Sequence, residues 1–259
     1  MSALTEANKI VVKVGTSTLT YENGRLNLQR IGRLVRVLSD LKNSGKEIVL
    51  VSSGAIMAGV SALGLSEKPQ DTPGKQAAAA VGQCALMHLY DNLFGEYGHS
   101  VGQVLLTGNA AAEGAQDNIL NTFNRLFDYK AVPIVNENDT VAVQEIEFGD
   151  NDALSAFVSV TIGADLLIIL SDIDGLYDKN PKTNPDAALI PRVTSIEADM
   201  LEAAGPPGSG RGTGGMVTKL AAACTAMEHN IPMVILNGSE PENIYGVFKD
   251  EVQGTLFMR

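Results

Sequence analysis

Two lysines occupy positions where a lysine needs a reason. Lys13 interrupts the aliphatic run "IVVKV", and Lys219 closes the glycine-rich stretch "GTGGMVTK". A lysine behind glycines suggests a phosphate site. The phosphate-loop pattern G-x-x-x-x-G-K-[ST] is nevertheless absent, because Lys219 stands four residues after Gly215 and is followed by Leu220. The pattern G-x-G-x-x-G does match at Gly210, Gly212 and Gly215. A dinucleotide site needs a strand immediately before its first glycine, and "EAAGPPGSG" cannot form one. What remains is a glycine loop that opens a helix, whose first amides face an anion. Lys13 carries a parallel demand. An unpaired ammonium in a buried strand is costly, so it needs an anion or an exit to water. Because Gly15, Thr16 and Ser17 follow directly, an anion is the favoured partner over an edge strand with a wet face.

The densest polar segment is "NENDTVAVQEIEFGDND". Asn136, Asn138 and Asp139 follow a predicted strand, and Asp150, Asn151 and Asp152 precede the apolar helix "ALSAFVSV". Asp150 or Asn151 can cap that helix. The same carboxylates and amide oxygens suit recognition of an ammonium group, and Asp152 suits holding cationic side chains. The pattern D-x-[DN]-x-[DN]-G is missing, so no calcium loop is indicated. Ser53, in "VSSGAIMAG", sits at a strand–turn–helix junction outside any G-x-S-x-G context, which leaves a hydrolase elbow unsupported. It can cap the next helix, bind a ligand carboxylate, or do both. His88, His99 and His229 lie outside all these segments, and Cys84 and Cys224 form no C-x-x-C pair. Neither a histidine-led base, a zinc site nor a disulfide framework is suggested.

The elements that must hold these residues alternate. Strands are predicted at Ile10–Val14, Ile48–Val51, Val101–Leu106, Val132–Val135, Leu166–Leu170 and Pro232–Leu236. Helical faces are predicted from Leu28, Ile31, Val35, Leu38 and Leu41, from Ile119, Phe123, Leu126 and Phe127, and from Met216, Leu220, Cys224 and Met227. This alternation implies crossovers and a mostly parallel sheet covered on both faces. Ligands bind such sheets at the carboxyl ends of the strands. The strands here exit into "KVGTS", "SSGA", "TGN", "NEND", "SDIDG" and "NGS", a ring of small and polar residues suited to an anionic ligand.

The 259 residues fit one large α/β domain or two small ones, and 45% hydrophobic with 5% aromatic residues means an aliphatic core. A net charge of −11 and no basic stripe argue against a nucleic-acid surface. The amino terminus has no signal-like apolar run, and no segment reaches the ~20 apolar residues that span a bilayer. A cytoplasmic setting is expected, with no membrane partner.

The segments "VVKVGTS", "VSSGAI", "NENDTVA", "FGDND", "DIDGLY" and "GTGGMVTK" resemble, in order and context, those of the amino-acid-kinase superfamily. The resemblance covers essentially the whole chain. It implies a three-layer α/β/α sandwich with a mostly parallel central sheet, the carbamate-kinase-like fold. It implies one domain over 1–259, with a substrate lobe over about 1–160, a nucleotide lobe over about 161–259 and no C-terminal PUA domain. ATP and Mg²⁺ are the implied cofactors. Thr213, Gly214, Gly215, Met216, Val217, Thr218 and Lys219 would contact ATP, with Lys219 on the transferring phosphoryl group. Lys13 would flank that group from the other side, and Asp152 would orient both lysines. Ser171 and Asp172 would line the nucleotide pocket, while Ser53, Asp139 and Asn151 would hold L-glutamate.

The implied reaction phosphorylates the side-chain carboxylate of L-glutamate to L-glutamyl 5-phosphate, the first step of proline biosynthesis. Proline as feedback inhibitor and a dimeric or tetrameric assembly come with the resemblance. A carboxylate is already a nucleophile at neutral pH, so alignment and charge neutralisation suffice without a base. The chain departs from the family in reading Ser171-Asp172 where T-D is common, and Asn180-Pro181 where D-P is common. It also ends at "GTLFMR", where many members continue into the PUA domain. Acetylglutamate, aspartate, carbamate and UMP are rival acceptors, but an N-acetylated acid offers no ammonium to these carboxylates. A silent amino-acid sensor of the same fold would not need Lys13, Lys219 and Asp152 together.

Overall fold

The computed structural model describes residues 3–111, 115–141, 150–181, 183–197, 200 and 215–259. The aliphatic runs form strands because both of their faces are covered, as parallel strands require. They are β1 (Lys9–Val14), β2 (Glu47–Ser52), β3 (Val101–Leu106), β4 (Val132–Glu137), β5 (Leu166–Ser171), β6 (Arg192–Val193), β7 (Met233–Asn237) and β8 (Gly254–Phe257). One sheet holds them in the order β3-β4-β2-β1-β5-β7-β8-β6. The pairings from β3 to β7 are all parallel, whereas β8 runs antiparallel to β7 and parallel to β6. The reversed β8–β6 edge departs from the six-strand expectation. These two strands have only four and two residues, too short to show a period.

The helices are α1 (Ala3–Glu6), α2 (Thr16–Leu19), α3 (Leu28–Asn43), α4 (Ala55–Ala62), α5 (Thr72–Gly95), α6 (Ala115–Asp128), α7 (Asn151–Ile162), α8 (Met216–Glu228) and α9 (Ile244–Val247). In α3, Ile31, Val35, Leu38 and Leu41 face the core as expected, but Leu28 is exposed. The reason lies in the helix start. Asn27 caps α3 by accepting the Arg30 N–H, which puts Leu28 in the first turn at the solvent margin. Helices α4 and α5 cross on bare glycine. A Cβ on Gly59 would lie 1.8 Å from the Ala78 carbonyl oxygen, and one on Gly82 equally close to that of Ala55. This contact fixes the start of α4 against the middle of α5.

Alternation along the strands separates two cores. Ile10, Val12 and Val14 pack with α3, α4 and α5, whereas Val11 packs with residues of α7 and α8. Lys13 shares the face of Val11, so its side chain points to the α7–α8 layer. Among the described residues, no helix is long and apolar enough to cross a membrane.

Candidate active site

Lys13 is the penultimate residue of β1, registered between Val51 of β2 and Ile169 of β5. It is central and 5% exposed, so the edge-strand alternative fails. Its exit is not water but a carboxylate. Lys13 Nζ lies 2.5 Å from Asp152 Oδ1, and the Asp152 side chain is wholly buried. Lys219 Nζ reaches the other oxygen, Oδ2, at 3.1 Å. Thr218 Oγ1 donates to the same Oδ2 at 2.8 Å while accepting the Gly215 N–H at 3.1 Å. Asp152 therefore ties the first residues of α7, the end of β1 and the first turn of α8 into one cluster.

Helical spacing explains the arrangement on α8. Gly215 is the N-cap, Thr218 turns back to close it, and Lys219 lies one turn along with its ammonium still beside the cap. Met216 and Val217 occupy the turn between, with amide groups at a helix amino terminus that favours anions. The opening residues Thr213 and Gly214 lie outside the described residues.

The electrostatics favour an anion. Burial alone would push the Asp152 carboxyl up, but Lys13 and Lys219 together outweigh it and hold Asp152 below its ordinary value. Two ammoniums share that one carboxylate in a buried place, and the buried Asp150 carboxyl is close enough to feel both lysines. Two ammoniums gathered at a helix amino terminus suit a negatively charged ligand.

A second, uncharged chain of groups begins beside it. Ser53 follows β2, anchored by its N–H on the Val14 carbonyl oxygen. Gly54 caps α4 with φ of 96°, and no side chain caps that helix, so Ser53 is not its cap. The Ser53 hydroxyl instead accepts from Asn151 Nδ2 at 2.8 Å. Asn151 Nδ2 also donates to Asn136 Oδ1 at 3.0 Å, and Asn136 Nδ2 donates to Gln83 Oε1 at 2.9 Å. Asp150 caps α7 by accepting the Asp152 N–H. Burial, reinforced by the charge of Asp152, pushes the Asp150 carboxyl up. Asp150 Oδ2 and Asn151 Oδ1 are buried acceptors without a hydrogen-bond partner among the described residues. Asp139 lies half-buried in the turn after β4.

On the other flank, Ser171 ends β5, buried, and donates to Asp172 Oδ1 at 3.3 Å. Asp172 is exposed. The Gly238 N–H donates to the Ser171 carbonyl oxygen at 2.7 Å, drawing the loop after β7 over this strand end. A Cβ on Gly238 would come within 2.6 Å of Thr18 Cγ2, so the loop, β5 and α2 meet only because residue 238 has no side chain. All these groups cluster at the carboxyl ends of four adjacent strands, β4-β2-β1-β5. A cavity of about 750 Å³ near Glu6, Asp165, His229 and Arg259 is at the opposite end of the sheet and contains neither lysine.

Sequence reasoning singled out Lys13, Ser53, Asn151, Asp152, Ser171 and Lys219, and the fold brings them to one end of the sheet. It gave Asp150 and Asn136 only as members of a polar segment suited to an ammonium, without a specific role, and missed Gln83. Asp150 and Asn136 carried a signal, since both sit in the polar segment. Gln83, inside a long helix, carried none.

The surrounding chain matches the model of the amino acid kinase family over residues 8–237. It is 54% identical over 261 residues to glutamate 5-kinase of Clostridium perfringens, covering 99% of this chain and 97% of that protein. Glutamate 5-kinase of Listeria monocytogenes serotype 4a is 50% identical over 98% of this chain and 94% of its own length. Among solved structures, isopentenyl phosphate kinase of T. acidophilum superposes with a TM-score of 0.68 at 18% identity, covering 96% of this chain and 99% of that one. At that identity the structural likeness speaks for the fold. The family match and the sequence relatives carry the further step: the chain belongs to the amino acid kinase family.

Proposed function

We propose that this protein transfers the γ-phosphoryl group of Mg-ATP to the side-chain carboxylate of L-glutamate, giving L-glutamyl 5-phosphate and ADP, and so opens proline biosynthesis. The observation that carries the reading is Asp152, which holds the two ammoniums of Lys13 and Lys219 on opposite oxygens in a buried cluster. The names of the clostridial and listerial relatives point the same way.

The chemistry asks little beyond placement. A glutamate carboxylate, with an ordinary pKa of about 4.3, is ionised at neutral pH and attacks phosphorus directly. One of its oxygens bonds to the γ-phosphorus as the bond from that phosphorus to the β–γ bridging oxygen breaks, and no proton moves. The barrier comes from bringing anions together and from charge on the phosphoryl oxygens. Lys13 and Lys219 neutralise that charge from fixed positions, and Asp152 keeps both in place before substrate arrives. Met216, Val217 and the Gly215 cap offer amides to the phosphates, with Ser171 and Asp172 on the nucleotide side. Mg²⁺ enters with ATP as part of the substrate. Both oxygens of Asp152 already carry an ammonium, and among the described residues no group of three or more His, Cys, Asp or Glu forms a metal cage. Bridging by phosphate oxygens is the usual habit of this ion.

On the acceptor side, Ser53, Asn151 and Asp139 hold glutamate. Asp150 Oδ2 and Asn151 Oδ1, without a hydrogen-bond partner among the described residues, favour a free ammonium, which argues for glutamate over acetylglutamate and UMP. A substrate lobe over about 1–160, a nucleotide lobe over about 161–259, proline inhibition, a dimeric or tetrameric assembly and a cytoplasmic setting belong to the same proposal.

A hydroxylamine trap tests it. Protein, Mg-ATP and each of L-glutamate, acetylglutamate, aspartate and UMP are incubated with hydroxylamine, and hydroxamate and ADP are assayed. Hydroxamate with L-glutamate alone is the expected result. Folded protein that gives none with any acid would overturn the reading in favour of a silent sensor or a non-carboxylate acceptor.

A further inference from the structure

We infer that Gln83, on α5 and outside the reacting centre, is a positioning residue that sets the selectivity for a free amino group. The inference rests on the reading of the site as one for free L-glutamate. Its basis is the direction of a hydrogen-bond chain. Gln83 Oε1 accepts from Asn136 Nδ2 at 2.9 Å, Asn136 Oδ1 accepts from Asn151 Nδ2 at 3.0 Å, and Ser53 Oγ accepts from the same Nδ2 at 2.8 Å.

A side-chain amide has one donor end and one acceptor end, so fixing one end of such a chain fixes every member. With the Gln83 oxygen facing Asn136, the Asn136 oxygen must face Asn151. The Asn151 NH₂ is then used within the chain, and its oxygen is left to face elsewhere. That oxygen is the buried Oδ1 without a partner among the described residues, and Asp150 Oδ2 on the preceding residue is in the same condition. At the far end Ser53 Oγ accepts, which leaves its own proton to give. The chain thus presents an acceptor to an ammonium at Asn151 and a donor to a carboxylate at Ser53. An α-amino acid carries both groups.

The Asn136 oxygen has a second restraint, the Glu137 N–H at 2.9 Å. Gln83 therefore biases the chain and does not alone determine it. Without an acceptor at position 83, the Asn136 NH₂ loses its partner, and the flipped chain, which aims the Asn151 NH₂ at the ligand, becomes competitive. A donor aimed at an ammonium repels it, so the loss should fall on the amino group and spare the nucleotide. The fold positions Gln83 for this task, because Gly82 beside it allows α5 to lie against the first turn of α4, the helix that follows Ser53 and Gly54.

The test compares Gln83→Met, which removes the acceptor at similar volume, with Gln83→Glu, which keeps an acceptor oxygen. Steady-state constants are measured for L-glutamate, for glutarate, which lacks the amino group, and for Mg-ATP. In Gln83→Met, KM for L-glutamate should rise about three- to tenfold, the worth of one net hydrogen bond, with KM for Mg-ATP unchanged. The preference for L-glutamate over glutarate in kcat/KM should shrink by a similar factor. Gln83→Glu should restore both to within about twofold of the wild type, since the acceptor is what counts. Equal behaviour of the two variants, or an equal rise in both KM values, would overturn the inference. If Gln83→Met does not fold, Gln83→Glu carries the test against Gln83→Lys, which presents only donors. A wild type that makes no hydroxamate from L-glutamate would instead overturn the proposed function itself.

Discussion

The two halves of the site solve opposite problems. Around Asp152 every oxygen is engaged: one ammonium on Oδ1, a second ammonium and a hydroxyl on Oδ2. Around Asn151 and Asp150 two buried acceptors have no hydrogen-bond partner among the described residues, and neutral amides do the arranging. The charged half is complete before any ligand arrives, which suits a device that stabilises charge appearing only during reaction. The second half has buried acceptors without a partner among the described residues, which suits recognition, because an analogue without the amino group leaves a buried acceptor unpaired. On the proposed reading, catalysis and selectivity are separated into a saturated cluster and an unsaturated one, on the successive residues Asp150, Asn151 and Asp152.

The largest effects should come from the saturated half. Lys13→Ala and Lys219→Ala should each lower kcat about a hundred- to a thousandfold, or ~2.7–4 kcal/mol, if each acts as a preorganised charge stabiliser. The fold should survive, because Asp152 keeps its other lysine and, on Oδ2, Thr218. Asp152→Asn should abolish turnover and also destabilise by about 3–5 kcal/mol, since it leaves two buried ammoniums without their carboxylate. Turnover assays paired with thermal melts distinguish the two behaviours. Lysine variants that melt like Asp152→Asn would break the distinction between a stabilising centre and its dependent cations.

That centre was legible in the sequence because it violates expectation. A lysine inside "IVVKV" and a lysine one turn into a helix opened by glycines are anomalies that demand a partner. The six longer strands were legible for the opposite reason, being aliphatic runs bounded by small polar exits, and each lies within two residues of its observed ends. Strands β6 and β8 were not legible, because two and four residues carry no pattern and are placed by the sheet edge they complete. The amide chain was legible only in part. Asn136 and Asn151 stand in a conspicuous polar segment, yet their orientations depend on Gln83, which is 53 residues before Asn136 in the chain. A glutamine within a helix is ordinary until the fold shows what its oxygen faces.

A tenfold class of effect should come from the unsaturated half, through pH. Burial, with Asp152 adding to it, raises the Asp150 carboxyl above its ordinary 3.8. A carboxylate raised on folding contributes stability below pH 3.8 that is lost as pH rises through the raised value. Above that raised value Asp150 is a held, costly charge, and a ligand ammonium offsets that cost. KM for L-glutamate should accordingly climb as pH falls through the raised value, and L-glutamate should protect against thermal unfolding more above that value than below it. Asp150→Asn should raise KM for L-glutamate by about tenfold or more, as when a buried charge loses its partner, and should flatten the pH dependence. KM for Mg-ATP should stay put. A parallel acid rise in both KM values would assign the titration to the charged half instead.

The smallest effect sharpens the same boundary from the nucleotide flank. Arg33, on α3, donates to both oxygens of Glu242 at 2.9 and 2.5 Å, to Glu240 Oε2 at 2.6 Å and to the Ser239 carbonyl oxygen at 3.2 Å. It thereby ties down the loop after β7, whose Gly238 sits on the Ser171 carbonyl oxygen. These side chains are about a third exposed or more, so solvent screens them and the network is worth under about 1 kcal/mol. Arg33→Ala should thus lower the melting temperature by no more than about 2–4 °C, with the difference shrinking in added salt. Because the loop borders Ser171 and not Asn151, KM for Mg-ATP should rise by about twofold, within what a screened ion pair can supply, while KM for L-glutamate stays level. A change confined to L-glutamate would mean that the loop after β7 serves the acceptor, and the line between the halves would have to be redrawn on the far side of β5.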